Sequence, residues 1–276
     1  LPEGIRGQLE IDHDSATARL ADYAGFLLRL REAVPIKNLA ATALPTWLYA
    51  PGFSRVAAAA DILILQVHAI DDPLLGVFNA ARAAQWVALM ARRDAYPFLI
   101  SLPAYGARVV TSSDGRVLAV SSEMPALDGS EGMEIAASPK EVAAFIDGVQ
   151  LDPPDGLRGF VWFRLPTGED RRAWSNATLR AVVRGEALHP AVKTVTRPGD
   201  MPGLMEVFVA NEGDIDGVLP GSVPLPPGCE RADGVGAYRR DGARLRLRAG
   251  GGLIGPHTAA LAGWMRCAED ENTHAP

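Results

Sequence analysis

The chain has 276 residues, a net charge of −6, 48% apolar residues and 22% charged ones. That balance describes a folded protein of one large domain, or a large and a small one, and excludes a disordered or fibrous chain. It argues against a nucleic-acid partner, and the lack of any run of about 18 apolar residues argues against a transmembrane segment. There is no signal-peptide pattern, yet the chain opens on Leu1 rather than Met and enters a strand at once. The expectation is a processed or truncated product, with a periplasmic or cell-envelope home if a signal has been removed.

Gly7-Gln8-Leu9-Glu10-Ile11-Asp12-His13-Asp14 alternates strictly. This predicts a strand with Leu9, Ile11 and His13 on one face and Gln8, Glu10, Asp12 and Asp14 on the other. Three carboxylates on one face repel each other and resist desolvation, so they point to a functional cluster at the end of a buried strand. The bland alternative is a solvated edge strand. Residues 15–33 repeat Leu20, Tyr23, Leu27 and Leu30 at helical spacing until Val34-Pro35 stops them.

A strand at 38–44, a short Ala-rich helix at 53–60 and a strand at 61–68 follow. The last is apolar on both faces until Gln66 and His68, as a strand covered on both sides would be. The helix at 78–93 has Ala83, Trp86, Val87 and Met90 as its buried stripe, and a strand at 98–103 leads to Tyr105-Gly106. A hairpin joins 108–111 to 117–121 around Ser113-Asp114-Gly115. Ser138-Pro139-Lys140-Glu141 is a capping box that starts a helix running to about 148. Next come a strand at 157–165, with Phe160, Trp162 and Arg164 on one face, and a helix at 174–185.

Five such alternations build a parallel sheet covered by helices, either open and doubly wound or closed into a barrel. No Gly-x-Gly-x-x-Gly or Walker-type loop follows a strand, which weakens the open nucleotide-binding sheet. Asp12, Asp14, Gln66, His68, Tyr105, Trp162 and Arg164 gather at strand ends, the working rim of a barrel. The expected fold is therefore α/β. Residues 1–187 supply the last five βα units of a partial TIM-type barrel, and residues 188–276 a small all-β, sandwich-like domain. The latter has short strands at 192–196, 204–210, 237–240, 244–248 and 259–265. Cys229 and Cys267 lack zinc-site spacing and are open to two readings, a disulfide or two buried thiols.

Several stretches carry a resemblance to a known family. They are the acidic run from Gln8 to Asp14, Thr42-Ala43-Leu44-Pro45-Thr46-Trp47-Leu48, Leu65-Gln66-Val67-His68 and Pro97-Phe98-Leu99-Ile100-Ser101-Leu102-Pro103-Ala104-Tyr105-Gly106. With Gly263-Trp264-Met265-Arg266-Cys267 they resemble DUF3142, a bacterial family of uncharacterised proteins. The likeness covers most of the chain. It implies a glycosidase-like barrel with further sequence ahead of the acidic strand, and names no reaction. A looser likeness is to chitinase-type barrel glycosidases, whose Asp-x-x-Asp-x-Asp-x-Glu run ends in the acid that protonates the leaving oxygen. Here Glu10-x-Asp12-x-Asp14 is followed by Ser15 and Ala16, with no Glu at the next alternate position.

Glycoside cleavage needs a proton donor and a carboxylate or positioned water. Asp12 and Asp14 stand roughly 7 Å apart if extended, and repulsion between such groups favours one protonated and one ionised. Asp14, nearest the rim, is the expected acid, Asp12 its charged partner and Glu10 a deeper orienting group. A structural network tied to Arg6 or Arg164 is the rival reading. Trp47, Tyr105 and Trp162 have faces suited to sugar rings, though such residues are more often core. Gln66, His68 and Arg164 complete the expected substrate contacts. Asp12, Asp14 and His68 also have donors for Mg²⁺, Ca²⁺ or Zn²⁺, but one His with two Asp is a weak set, so no metal and no cofactor is assigned. There is no Gly-x-Ser-x-Gly elbow and no Cys on a barrel strand to support a nucleophilic Ser or Cys. The expected function is a glycoside hydrolase-like enzyme acting on a polysaccharide. The alternative is a non-catalytic carbohydrate-binding or cell-envelope protein on the same scaffold, and the oligomeric state stays open.

Overall fold

Five strands run parallel in the order of the chain, and the unit built on them holds every expected site residue but Tyr105. The structure is a computed structural model that describes residues 7–68, 76–93, 96–112, 114, 116–122, 132–167, 170, 172–229, 231–248 and 252–267. The expected turn residues Ser113 and Gly115 and the expected ion-pair partner Arg6 lie outside these.

In chain order the elements begin with β1 (Gln8–Ile11), a single-turn helix (Thr17–Arg19), α1 (Leu20–Ala33), β2 (Asn38–Ala43), a second short turn (Pro45–Tyr49) and α2 (Phe53–Ala59). There follow β3 (Ile62–Gln66), α3 (Ala80–Ala91), β4 (Phe98–Pro103), β5 (Gly106–Thr111), β6 (Val117–Ser121), β7 (Met133–Ala136), α4 (Pro139–Leu151), β8 (Leu157–Phe163) and α5 (Asn176–Val183). The remainder is β9 (Val192–Pro198), β10 (Leu204–Asn211), β11 (Gly217–Val218), β12 (Ser222–Pro224), β13 (Arg231–Gly234), β14 (Tyr238–Asp241), β15 (Arg244–Leu247), β16 (Leu253–Ile254) and β17 (Thr258–Arg266). The packing of the chain divides these into two compact units. One is Leu1–Ile70, Phe78–Pro103 and Glu141–Arg164; the other is Asp71–Val77, Ala104–Lys140 and Leu165–Pro276.

The first unit is built on the sheet β1-β2-β3-β4-β8, all parallel. Its central strands are buried on both faces, with Leu39, Ala41, Leu63, Leu65, Phe98 and Ile100 enclosed on one and Thr42, Ile64 and Ser101 on the other. That is why they read as continuous apolar runs rather than alternations. α1 turns Leu20, Tyr23, Ala24 and Leu27 inward at positions i, i+3, i+4 and i+7. On α3 the buried stripe is Ala83, Val87 and Met90. Trp86, expected in it, sits at the margin under the Arg82 guanidinium, 4.8 Å from its ring. Glu141, expected to close a box on its own helix, accepts the Ala80 backbone N–H at 2.9 Å and so serves the N-terminus of α3. Among the described residues the sheet does not close into a barrel, and β1 and β8 each pair with a single strand.

The first strand is shorter than its alternation suggested. It pairs with β2 only as far as Ile11↔Ala41, and Asp12 to Ala16 form a loop. Asp is a poor strand former, and continuing the ladder would hold three carboxylates in register on one face.

In the second unit β10 and β17 are the long central strands of the sheet β13-β17-β10-β9, with β6-β5-β7, β12-β15-β14 and β11-β16 as smaller sheets. The core here gathers Val207, Val209, Val223, Tyr238, Leu245 and Met265. Cys229 and Cys267 form a disulfide, which settles the two readings left open by their spacing. Strands β7, β11, β12, β13 and β16 have four residues or fewer, too short for a period to show. α5 starts at Asn176, capped by the Ser175 hydroxyl; Trp174 lies ahead of it, buried, its indole donating to the Ala137 carbonyl at 2.8 Å. Asp216 secures this helix start, accepting the Ser175 N–H at 2.6 Å while its own N–H donates to Thr178 Oγ1 at 2.7 Å.

Burial holds the Asp216 carboxyl above its ordinary 3.8, although the hydrogen bonds from Ser175 and Thr178 pull the other way. A raised native value means the folded state binds its proton more tightly than the unfolded one. The associated stability is whole below the ordinary value and is lost as pH rises through the native one. Asp216→Asn keeps an acceptor for Ser175 and carries no charge. The difference between wild-type and Asp216→Asn unfolding free energies is therefore expected to move steadily in the variant's favour from about pH 4 upward, read by urea denaturation across pH. Asp216→Ala, which strips the acceptor, is expected to cost about 1–3 kcal/mol.

Candidate functional site

The loop that follows β1 is held at both ends. Ile11 is fixed in the ladder, and the Tyr23 hydroxyl approaches its carbonyl at 3.5 Å. Three residues beyond Asp12, the Ser15 carbonyl accepts the Trp47 indole N–H at 3.0 Å. Trp47 is fully enclosed and meets the Tyr23 ring edge-on, 5.7 Å between centroids. Trp47 was expected to stack on sugar; enclosed in the core, it has no face left for a ligand. It fixes the loop that carries the acids instead.

Glu10, Asp12 and Asp14 are all exposed, and among the described residues none of the three meets a cation or a hydrogen-bond donor. The covered part of Glu10 and, second, the negative charge of Asp12 hold its carboxyl above the ordinary 4.5. Burial, then the same Asp12 charge, pushes the Tyr23 hydroxyl up to about 12. Asp12 thus lies within electrostatic reach of both Glu10 and Tyr23.

Asp14 lines an open groove of about 610 Å³ together with Ile11, His13, Arg19, Tyr23 and Phe26. Phe26 is 41% exposed and lies nearly parallel to Tyr23, 14° and 6.3 Å between rings. The His13 ring is 5.3 Å from that of Tyr23. Alternation placed His13 away from the acids; the early end of β1 brings it into the groove beside Asp14. Arg19 and Asp22 pair at 2.6 Å in the same groove but are well exposed, which makes the pair worth little.

The other expected contacts fall at the carboxyl ends of β3 and β8, or in the second unit. Gln66 ends β3 and donates to the His68 carbonyl at 3.2 Å. His68 is buried, its imidazole stacked on Phe163 at 5.3 Å, and burial drives its pKa down to about 4. The ring is therefore neutral at physiological pH. Trp162 lies near the end of β8 and Arg164 just past it, after a cis Phe163–Arg164 peptide bond; both are partly buried. Tyr105 is buried and belongs to the second unit. Among the described residues no three His, Cys, Asp or Glu side chains gather closely enough to hold a metal, so Asp12, Asp14 and His68 do not form the ligand set weighed from the sequence.

Sequence reasoning missed Tyr23, Phe26 and His13 as neighbours of the acids. Tyr23 was legible only as helix core, and Phe26 gave no signal in a period that did not include it. The groove combines the Asp14 carboxylate, the Arg19–Asp22 pair, an imidazole and two aromatic rings, which suits a polar ligand with an apolar face.

The family model described as "Domain of unknown function (DUF3142)" matches residues 3–168, and one described as "Domain of unknown function (DUF8456)" matches residues 194–268. No curated protein matches the chain. Among solved structures, the spore cortex-lytic enzyme SleL of Bacillus cereus is similar at 10% identity and a TM-score of 0.38, over 66% of this chain and 49% of that one. The chitinase ChiW of a Paenibacillus species has 12% identity and a TM-score of 0.42, over 91% and 38%. A family GH18 chitinase from Chromobacterium violaceum has 9% identity and a TM-score of 0.37, over 94% and 65%. The chain thus spans about half the length of the cortex-lytic enzyme.

Trp47→Phe keeps most of the packing and removes the donor to Ser15. It is expected to cost about 1 kcal/mol in denaturant unfolding and to speed amide exchange in the 12–16 loop selectively. Trp47→Ala is expected to cost about 3–5 kcal/mol.

Proposed function

We propose, for a chain that belongs to the DUF3142 family, that the first unit is an arc of a TIM-type barrel and the site at its β1 end a carbohydrate site of glycoside hydrolase type. The sequential strand order supports the arc, because a doubly wound sheet reverses its order at a switch point and this one does not. The second family match supports treating residues 188–276 as a small β domain of its own.

One observation carries the functional reading. Three carboxylates that meet no cation among the described residues stand where β1 ends, and one of them lines a groove with Tyr23 and Phe26. Ligands of parallel α/β sheets bind beyond the carboxyl ends of the strands. On this reading the Phe26 face receives a sugar ring, and Asp14 touches the sugar. Glu10, whose carboxyl is held above its ordinary value, gives the leaving oxygen its proton as the glycosidic bond breaks, while a water adds to the sugar carbon and passes its proton to Asp14. Gln66, His68, Trp162 and Arg164 would extend the contacts from the neighbouring strand ends.

The exposure of Asp12 and Asp14 favours a second reading, a sugar-binding protein without turnover, since a hydrolytic acid works best out of water.

The two readings separate on variants assayed with chromogenic aryl glycosides and oligosaccharides, binding being titrated in parallel. Asp14→Asn is expected to abolish turnover while leaving the protein folded. Asp12→Asn removes the charge that helps hold Glu10 up, so the alkaline limb of the pH–rate profile is expected to move to lower pH. An unmoved limb would remove Glu10 from the donor role. Sugar binding without turnover of any substrate would decide for the second reading.

A further inference from the structure

The sheet β13-β17-β10-β9 has two faces, and the core uses one. Val207, Val209 and Met265 point into it. By alternation Glu206 and Phe208 of β10 point the other way. The register places Trp264 opposite Glu206 and Leu261 opposite Phe208 on β17, with Arg197 of β9 opposite Glu206 on the other side. On β13, Arg231 stands opposite Arg266 and Asp233 opposite Trp264. Phe208, Leu261 and Trp264 are partly exposed and do not belong to the core cluster. Two aromatic side chains on neighbouring strands, one diagonal step of roughly 7–8 Å apart, make a flat platform of about two ring widths.

The charges around the platform are arranged for an anion. The Arg197 guanidinium lies 4.8 Å over the Phe208 ring. Arg197 and Arg231 are exposed, Arg266 half so. Among the described residues none of the three has a carboxylate within ion-pairing distance, and the Trp264 indole N–H has no acceptor. Lys193, further along β9, is already tied to Glu212 at 2.6 Å. A chain of net charge −6 therefore keeps, among its described residues, guanidinium groups without a paired carboxylate beside partly exposed aromatic side chains.

We propose that this face of the second unit binds a carboxylated polysaccharide, a chain with uronate-type sugars, at a place separate from the groove beside Asp14. Aromatic faces meet the apolar faces of sugar rings, and a guanidinium pairs with a carboxylate through two parallel hydrogen bonds. A neutral glycan would leave the arginines unused. Nucleic acid is the competing polyanion, and an oligonucleotide titration separates it from a carboxylated glycan.

The full chain is titrated calorimetrically with polygalacturonate, with the same polymer methyl-esterified, and with an oligo(dT) strand. Unfolding midpoints confirm that each variant is folded. Wild type is expected to bind polygalacturonate saturably and to lose affinity as salt rises, with the esterified polymer at least tenfold weaker. Trp264→Ala is expected to weaken binding about tenfold or more. The double variant Arg197→Gln/Arg231→Gln, at exposed positions where folding is not at stake, is expected to do the same. Asp14→Asn is expected to bind like wild type, which keeps this proposal separable from the groove. The proposal is overturned if polygalacturonate does not bind, if the folded arginine double variant binds as wild type does, or if the esterified polymer or oligo(dT) binds as tightly.

Discussion

Like-charge repulsion at the end of β1 is the constraint from which the first unit's site follows. Glu10, Asp12 and Asp14 stand at alternate positions, and a strand carried through to Asp14 would align all three on one face with no cation among the described residues to meet them. The chain leaves the sheet after Ile11 instead. Water then solvates Asp12 and Asp14, and Glu10 alone stays in the sheet, its carboxyl raised partly by its neighbour. A loop so released would wander unless tied down. The Trp47 indole does the tying through Ser15, and Tyr23, wedged between Trp47 and Phe26, makes the wall of the groove. Core and site are here one arrangement, since the residue that anchors the acidic loop is also among the largest enclosed side chains.

The strands were legible where burial is two-sided. β2, β3 and β4 appear within two residues of where the sequence places them, because short apolar runs bounded by turn residues suit strands covered on both sides. The helix faces were legible for the same reason, except at Trp86, whose amphipathic ring is as well served under Arg82 at the margin as inside. The acidic run misleads because its alternation predicts a strand through Asp14, while its Asp content argues against the second half. The site suffered most from this. The acids were found, but the face they share was assigned from an alternation that ends at Ile11, so His13 went to the wrong side and Phe26 was not considered. Trp47 shows the complementary difficulty. A tryptophan at a strand end has the same signature whether it stacks on a ligand or fills the core, and only its neighbours decide.

The second unit answers a different problem. Beside the long β10 and β17 most of its strands are short, and polar side chains join them where ladders cannot. Asn211 accepts from Ala191 and Gly213 and donates to Ile215 and Ile254, satisfying four backbone groups from one buried amide. Asp216 does the like for the start of α5, and the Cys229–Cys267 disulfide closes the region where β13 and β17 pair. Such joints are invisible to periodicity, because each depends on one side chain meeting groups from two or three distant segments.

Charge gives the two proposed surfaces opposite preferences. A carboxylated polymer that suits Arg197, Arg231 and Arg266 would be repelled by Glu10, Asp12 and Asp14, whose summed charge is screened only by salt. The groove beside Asp14 therefore favours a neutral or cationic sugar, while the β-sheet face favours an anionic one. If both surfaces work, the polymer held by the sheet is not the stretch presented to the acids, and the material this protein meets carries both kinds of sugar. A single uniformly charged glycan would satisfy one surface at the expense of the other, so the pair of surfaces constrains the ligand more tightly than either does alone.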